Sequence, residues 1–330
     1  MIPLIVAVSL LVTVLIAGVA AGPLVRRAAP VLMRTPRLAV GVLGGVLIVW
    51  LIGFAAFGPM LAWALGTPTG LLPGATGEVC QRCLDAVNPL PPGVGFSAGI
   101  PAVLLLSLPL LVGGIMLAGG LRYRRQQQRQ KQQLHQALQL GASAARLDGR
   151  SVTVIPHAKP TAFAVADRRW GIVVSTALLK LLSTEELAAV LAHEAAHVRQ
   201  RHHLILEVLH GMFAPLRRIP LVAAIRTAIP QYLEMAADNA ARQRSGTNVM
   251  ASALLKIGEG GGPATDHAVG SAVALHVAGV DRIRHLIAPP NASGGIAPMI
   301  AMGVTSLLMS LSTVLVLLPY WQAILDGCII

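Results

Sequence analysis

The sequence predicts an α-helical polytopic membrane protein with four transmembrane helices and, between the third and fourth, a cytoplasmic α+β domain. Three observations carry the prediction. Only 12% of the 330 residues are charged, against 55% apolar. Four long stretches contain no charge at all. All ten histidines, with most of the charge, fall in one block after the third stretch.

The four stretches are about Ile2–Gly22, Leu38–Leu65, Ile100–Leu121 and Ile296–Trp321. Each is long enough to cross a hydrocarbon core of roughly 30 Å. Four such uncharged runs exclude an ordinary soluble core. The first has no basic residue before it, and Arg26 and Arg27 follow it, an order that retains a segment as an anchor with its N-terminus outside rather than as a cleaved signal. The loop after it carries Arg26, Arg27, Arg34 and Arg37, the outer loop 66–99 carries only Arg82, and Arg122, Arg124, Arg125, Arg129 and Lys131 follow the third span. Basic residues stay on the cytoplasmic side. Both termini are therefore expected outside, with 122–295 in the cytoplasm. The expected division is 1–121 as membrane domain, 122–295 as cytoplasmic domain, and 296–330 as fourth span with a short outer tail.

The cytoplasmic block holds 21 of the 26 Lys and Arg and 11 of the 14 Asp and Glu. Basic charge beside a bilayer points to anionic membrane lipid. The basic residues are scattered and few aromatics lie among them, so direct nucleic-acid binding is not expected. Cys80 and Cys83 form a C-x-x-C on the outer loop, where a small disulfide strap is favoured over a redox function. A zinc ribbon needs a second pair, and none is present. Cys328 stands alone.

Within 122–295, Arg122–Gln133 continues the third span as a polar helix. Val152–Pro156 and Gly171–Ser175 are rich in β-branched residues and predict strands. A third strand is expected in "PTAFAVADRRW" between them. Ser183 and Glu186 fit a capping box, which opens a helix expected to run unbroken from Thr184 to about Gly211. Another helix is expected over Tyr232–Ser245, and "GEGGGP" at Gly258–Pro263 as a flexible break.

The capped helix contains "LAAVLAHEAAHVRQRHH", Leu187 to His203. Residues four apart share a helix face, so His193 and His197 point the same way, about one turn apart, as two ligands of one metal must. Glu194 is placed to reach a water on that metal without ligating it. This H-E-x-x-H pattern binds zinc and supplies a general base for peptide hydrolysis. Downstream, "YLEMAADNAARQRSG" offers Glu234 as a third ligand. It sits among Leu233, Met235, Ala236 and Ala237, where a carboxylate is costly unless paired or metal-bound. Asp238, four residues on, can accept a hydrogen bond from the free ring nitrogen of a ligand histidine. The competing reading pairs Glu234 or Asp238 with Arg242 or Arg244 in helix salt bridges. His202, His203 and His210 could supply a donor to a developing oxyanion, but the favoured reading puts His202 and His203 on the polar or membrane-facing side of the helix.

The region from about Val152 to Ala241 resembles the gluzincin membrane metallopeptidases. "LSTEELAAVLAHEAAHVRQRH" and "EMAADNA" are similar to the H-E-L-x-H-x-x-R-R-D and E-x-x-C-D-x-A regions of the BlaR/MecR-type antirepressor family, which also has three spans, a cytoplasmic protease domain and a fourth span. The interval from His197 to Glu234, 37 residues, is close to that family's spacing. The HtpX/Ste24-type proteases share the pattern "TAFAV…GIVVSTALLKLL" and stand second, since they usually place the glutamate further downstream. Two departures from the first family are His202 where it often has Asp, and Ala237 where it often has Cys. Its sensor members carry an outer penicillin-binding domain after the last span. Only about Gln322–Ile330 follows here, so this chain is not expected to capture a β-lactam covalently.

The resemblance implies a gluzincin-type metalloprotease domain with Zn2+ as cofactor, His193, His197 and Glu234 as metal ligands and Glu194 as catalytic base. It implies a bacterial plasma membrane location. Its partners would be a protein substrate, membrane lipid and, as a homodimer, a second copy. The first expectation is a regulatory protease that cuts a cytoplasmic DNA-binding repressor, itself, or both. Its rivals are an HtpX-like quality-control protease of membrane proteins and a non-catalytic membrane scaffold.

Overall fold

The computed structural model describes residues 2–60, 66–67, 100–165, 170–260, 282, 286–287 and 293–325. Cys80, Cys83, Cys328, most of the outer loop and residues 261–263 of the expected Gly-rich break lie outside them. Two helices open the chain, α1 (Ile2–Leu32) and α2 (Pro36–Ala55). A two-residue parallel pair, β1 (Gly66–Thr67) with β2 (Ile100–Pro101), precedes α3 (Ala102–Gly141). Four strands follow: β3 (Ser143–Leu147), β4 (Arg150–Ile155), β5 (Ala162–Ala164) and β6 (Ile172–Ser175). Then come α4 (Thr176–Leu181), α5 (Thr184–Arg199), α6 (His202–Gly211), α7 (Pro220–Ser245), α8 (Thr247–Gly260) and α9 (Ser293–Leu325).

Among the described residues three stretches are long and apolar enough to cross a membrane: Val8–Leu32, Pro36–Met60 and Ser293–Leu318. The expected count of four is not reached among them. The stretch expected as the third span forms the first half of α3, a 40-residue helix that continues without a break through Arg122–Gln133, as expected of a polar continuation. The first loop is also shorter than expected. Arg26 and Arg27 lie within α1, and Arg37 within the first turn of α2, leaving a tight turn at Met33–Thr35.

Apolar packing holds the spans together. α9 runs along α1, and a Cβ on Gly295 would sit 2.9 Å from Val31 Cγ2, so only glycine allows this approach. Trp50 Nε1 donates to the Val14 carbonyl at 3.0 Å, which gives a buried indole its partner. The outward faces keep large apolar side chains, such as Val19, Leu110 and Leu307, mostly exposed, as lipid-facing positions are.

The sheet has the order β3-β4-β6-β5. β3 and β4 form an antiparallel hairpin, β4 and β6 run parallel, and β5 closes the edge antiparallel to β6. The strands expected over 152–156, 171–175 and in "TAFAV" are present. β3 is an addition, formed because Asp148 and Gly149 both take positive φ in a tight turn. α5 packs against β5 and α7. Its capping box forms as expected. Ser183 N donates to Glu186 Oε2 at 2.9 Å, and Glu186 N donates to Ser183 Oγ at 3.3 Å. Glu186 also accepts from Ser252 and Lys256, tying α5 to α8. These two partners, above all Lys256, hold its carboxyl at about 2.

Two expected helices differ. The run Thr184–Gly211 is not continuous. Arg201 adopts a left-handed conformation at φ 53° and divides α5 from α6. The helix expected from Tyr232 opens at Pro220 and runs through Pro230. The α6–α7 hairpin is driven into the membrane part. Leu209, Phe213, Leu221, Ile225 and Ile229 share one apolar core with Leu10, Val14, Leu43 and Trp50. At the crossing of α3 and α6, a Cβ on Gly119 would lie 3.1 Å from the Gly211 carbonyl oxygen. The absence of side chains lets these two backbones meet.

Candidate metal centre

α5 and α7 pack side by side and bring the three residues together. One ligand atom each from His193, His197 and Glu234 lies within 4.8 Å of the others. His193 Nε2 is 3.1 Å from His197 Nε2. The two carboxylate oxygens of Glu234 are each 3.5 Å from one of these nitrogens. Donors held about 2.0–2.2 Å from a tetrahedral zinc are separated by roughly 3.3–3.6 Å. The two 3.5 Å separations fall within that figure and the 3.1 Å nitrogen pair lies just below it, and the two-nitrogen, one-oxygen donor set suits zinc. Glu234 Oε2 is buried and makes no hydrogen bond, with only the ion-pair contacts of His193 and Arg282 around it.

Asp238 lies one turn beyond Glu234, with Oδ1 2.9 Å from His193 Nδ1. It neither joins the cluster nor pairs with Arg242 or Arg244; Arg244 instead reaches Asp148 at 3.0 Å. The partner of Asp238 is Arg282, which sequence reasoning missed. Arg282 Nε donates to Asp238 Oδ2 at 2.8 Å, and its Nη2 donates to Oδ1. Its Nη1 stands 3.3 Å from Glu234 Oε2. Both Arg282 and Asp238 are 1% exposed, so the pair is fully desolvated. No spacing signal could have found it, because the two residues lie 44 apart on different segments. The only hint was that a buried Asp238 needed a cation.

Burial and neighbouring charges set the protonation. Burial pushes His197 down to about 3, helped by His193, which leaves the neutral ring a metal ligand requires. Burial also pulls His193 down, but Asp238 and Glu234 overcome it and lift the ring to about 10. Burial raises Glu234, yet His193, His197 and Arg282 hold it at about 2. The cluster therefore has a carboxylate ready to meet a cation, and a metal binding there displaces the proton of the His193 ring. Glu194, next to His193 and 5% exposed, is pushed up to about 7 by burial. The Ala164 backbone, on edge strand β5, hydrogen-bonds to it and opposes that rise.

His202 corrects the expectation of a polar or membrane-facing ring. It is 2% exposed, with Nδ1 2.9 Å from His197 Nδ1. On a continuous helix a residue five positions on points about 140° away. The left-handed Arg201 breaks the helix there and turns His202 back onto His197. Its Nε2 is 3.1 Å from Gln200 Oε1. His203 is exposed, and neither it nor His210 joins the cluster among the described residues.

With this geometry in view, comparison with known proteins shows that residues 125–258 match peptidase family M48. "Protease HtpX homolog" of Methanocaldococcus jannaschii is 39% identical over 74 residues, 22% of this chain and 26% of that protein. The protein of the same name in Thermoanaerobacter pseudethanolicus is 34% identical over 77 residues, 23% of this chain and 26% of its own length. That of Desulfatibacillum aliphaticivorans is 41% identical over 75 residues, 22% and 24% of the two chains. The chain thus spans about a quarter of the length of these relatives. No solved structure matches. These matches support an M48, HtpX-like metallopeptidase region in a membrane protein. They fall on the second of the two resemblances read from the motifs, and the narrower BlaR/MecR resemblance is not what they support.

Proposed function

We propose that this protein is a membrane-bound zinc endopeptidase of the HtpX type, with its protease region on the cytoplasmic face and membrane lipid around α1, α2 and α9. The observation that carries the reading is the convergence of His193, His197 and Glu234 on one point, beside a buried Glu194. His193, His197 and Glu234 would hold the zinc. When bound it supplies a Lewis acid that acidifies water and polarises a peptide carbonyl. Glu194 takes a proton from the attacking water and passes it to the leaving amine. A carboxyl poised near neutrality suits both steps. The outer edge of β5 is unpaired within the described sheet and adjoins Glu194, so an extended substrate can add there as a further strand.

The HtpX-like reading now precedes the regulatory one, because the relatives matched are HtpX homologues. Proteomics of new N-termini separates the two, comparing wild type with Glu194→Gln in native membranes. Many Glu194-dependent cuts in unrelated membrane proteins are expected. A single clean cut in a cytoplasmic DNA-binding partner would restore the antirepressor reading. Identical N-termini in both strains would leave only the scaffold.

A further inference from the structure

We propose that Arg37, in the first turn of membrane helix α2, is a positioning residue of the metal centre that acts on His197 through Gln200 and His202. The inference rests on the metal reading above and adds a connection which that reading does not contain.

The relay can be followed donor by donor. Arg37 Nε donates to Gln200 Oε1 at 3.1 Å. Arginine has no acceptor and does not lose its proton in proteins, so this end of the chain has a fixed direction. It forces the Gln200 amide to present oxygen, rather than its NH2, at this point. The same oxygen lies 3.1 Å from His202 Nε2, which must therefore be the donor. A neutral imidazole with its proton on Nε2 has an acceptor at Nδ1. That Nδ1 is 2.9 Å from His197 Nδ1, so His197 carries its proton on Nδ1. The lone pair of His197 is then on Nε2, the atom that faces His193 and Glu234. Every link has one allowed direction, and each agrees with the ligand atom the cluster needs.

The surroundings support this polarity. Gln200 Nε2 is buried without a hydrogen bond, so the amide is oriented by what its oxygen accepts and not by its own donors. His202 is buried, and among the described residues it is the partner found at His197 Nδ1, while Glu234 stands at Nε2. On the other side of the site His193 is held by Asp238 and Arg282, a relay within the protease region. The His197 relay instead spans 163 residues of sequence and ends on a membrane helix. A shift of the α1–α2 turn would release the amide, free the His202 ring and unfix the ligand.

The test uses the full-length chain in detergent, loaded with zinc, or with cobalt as a spectroscopic probe. Metal affinity is read by chelator competition and the ligand field by cobalt absorption. Partners beyond the ligands typically contribute 10- to 100-fold in metal affinity. His202→Leu is expected to weaken binding by about 10- to 100-fold, and Arg37→Ala by about tenfold, both with a changed cobalt spectrum. Arg37 is exposed, so its removal opens no hole in a core. Gln200→Glu keeps acceptor oxygens for both donors and is expected to retain wild-type affinity, whereas Gln200→Leu loses it. Adding Arg37→Ala to Gln200→Leu should cost nothing further, since the relay is already cut. Arg37→Ala with wild-type affinity and spectrum would overturn the proposal, as would full additivity in the double variant. If His197→Ala binds metal as wild type does, the metal reading itself is wrong and the relay fails with it. If His197→Ala loses metal while Arg37→Ala and His202→Leu do not, only the relay fails.

Discussion

Burial places the Glu194 carboxyl at about 7, with His193 opposing any further rise. A cation bound beside it stabilises the ionised form and moves the carboxyl lower. Since only the carboxylate can take a proton from water, activity should rise with pH through an acid limb below 7. A kcat/KM profile on a cleavable peptide, measured with saturating zinc, checks this; an acid limb above 7 contradicts it. Glu194→Gln should lower kcat by about 10²- to 10⁴-fold, the usual reach of a general base, while elemental analysis still finds the metal. Arg282→Leu should act differently, because it takes the guanidinium from a buried Asp238 and leaves His193 as its partner. The expected loss is about 3–5 kcal/mol, read as a lower unfolding midpoint in denaturant, with weaker metal binding. The contrast shows what was legible at this scale. His193, Glu194, His197 and Glu234 could be read because helix periodicity alone puts the two histidines on one face, and because a carboxylate among Leu233, Met235 and Ala236 needs a reason. Arg282 and His202 could not. One pairs across 44 residues and the other depends on a helix break.

That break shows why element boundaries were harder to read than elements. The sequence from Thr184 to Gly211 has neither Pro nor Gly inside it, so nothing local announces the left-handed Arg201. The contact of His202 with His197 accompanies it. A side chain in this conformation costs about 1–2 kcal/mol, more when β-branched and little for glycine. Arg201→Gly should therefore keep metal affinity, while Arg201→Val should lower both thermal stability and metal affinity. Equal behaviour of the two variants would show that the turn does not depend on this backbone state. α7 makes the same point from the other side. Pro230 discourages a helix through it, yet Val222, Ile225 and Ile229 before it are buried, and their packing holds the helix together. The start of α5, by contrast, was legible to the residue, because Ser183 and Glu186 satisfy each other's backbone without outside help. Ser183→Ala should cost about 1 kcal/mol, seen as a modest fall in the thermal midpoint.

At the scale of the molecule, the sequence suggests a membrane part and a protease part that meet at residue 121, and the packing joins them. α3 runs through that position as one helix, and α7 carries Glu234 and Asp238 on the same helix as residues of the apolar membrane core, Leu233 and Met235 among them. Leu221, Val222, Ile225, Ile229, Tyr232, Leu233 and Met235 belong to the same cluster as Leu10, Leu43, Trp50 and Met309. A membrane boundary is written in hydropathy, but α7 is too mixed to register as a span, so this shared core is invisible to a window average. It has a consequence for dissection. A fragment of residues 122–260 would lose α1, α2 and α9 and expose that face of α7. Each large apolar side chain so uncovered forfeits about 1.5–3 kcal/mol, and several together exceed the usual 5–15 kcal/mol stability of a domain. The fragment is therefore expected to aggregate or stay partly unfolded and to bind no zinc at the affinity of the full chain, even though it contains His193, His197 and Glu234. Recovering soluble, monomeric fragment with full zinc affinity would show that the membrane helices anchor the protease without building its site.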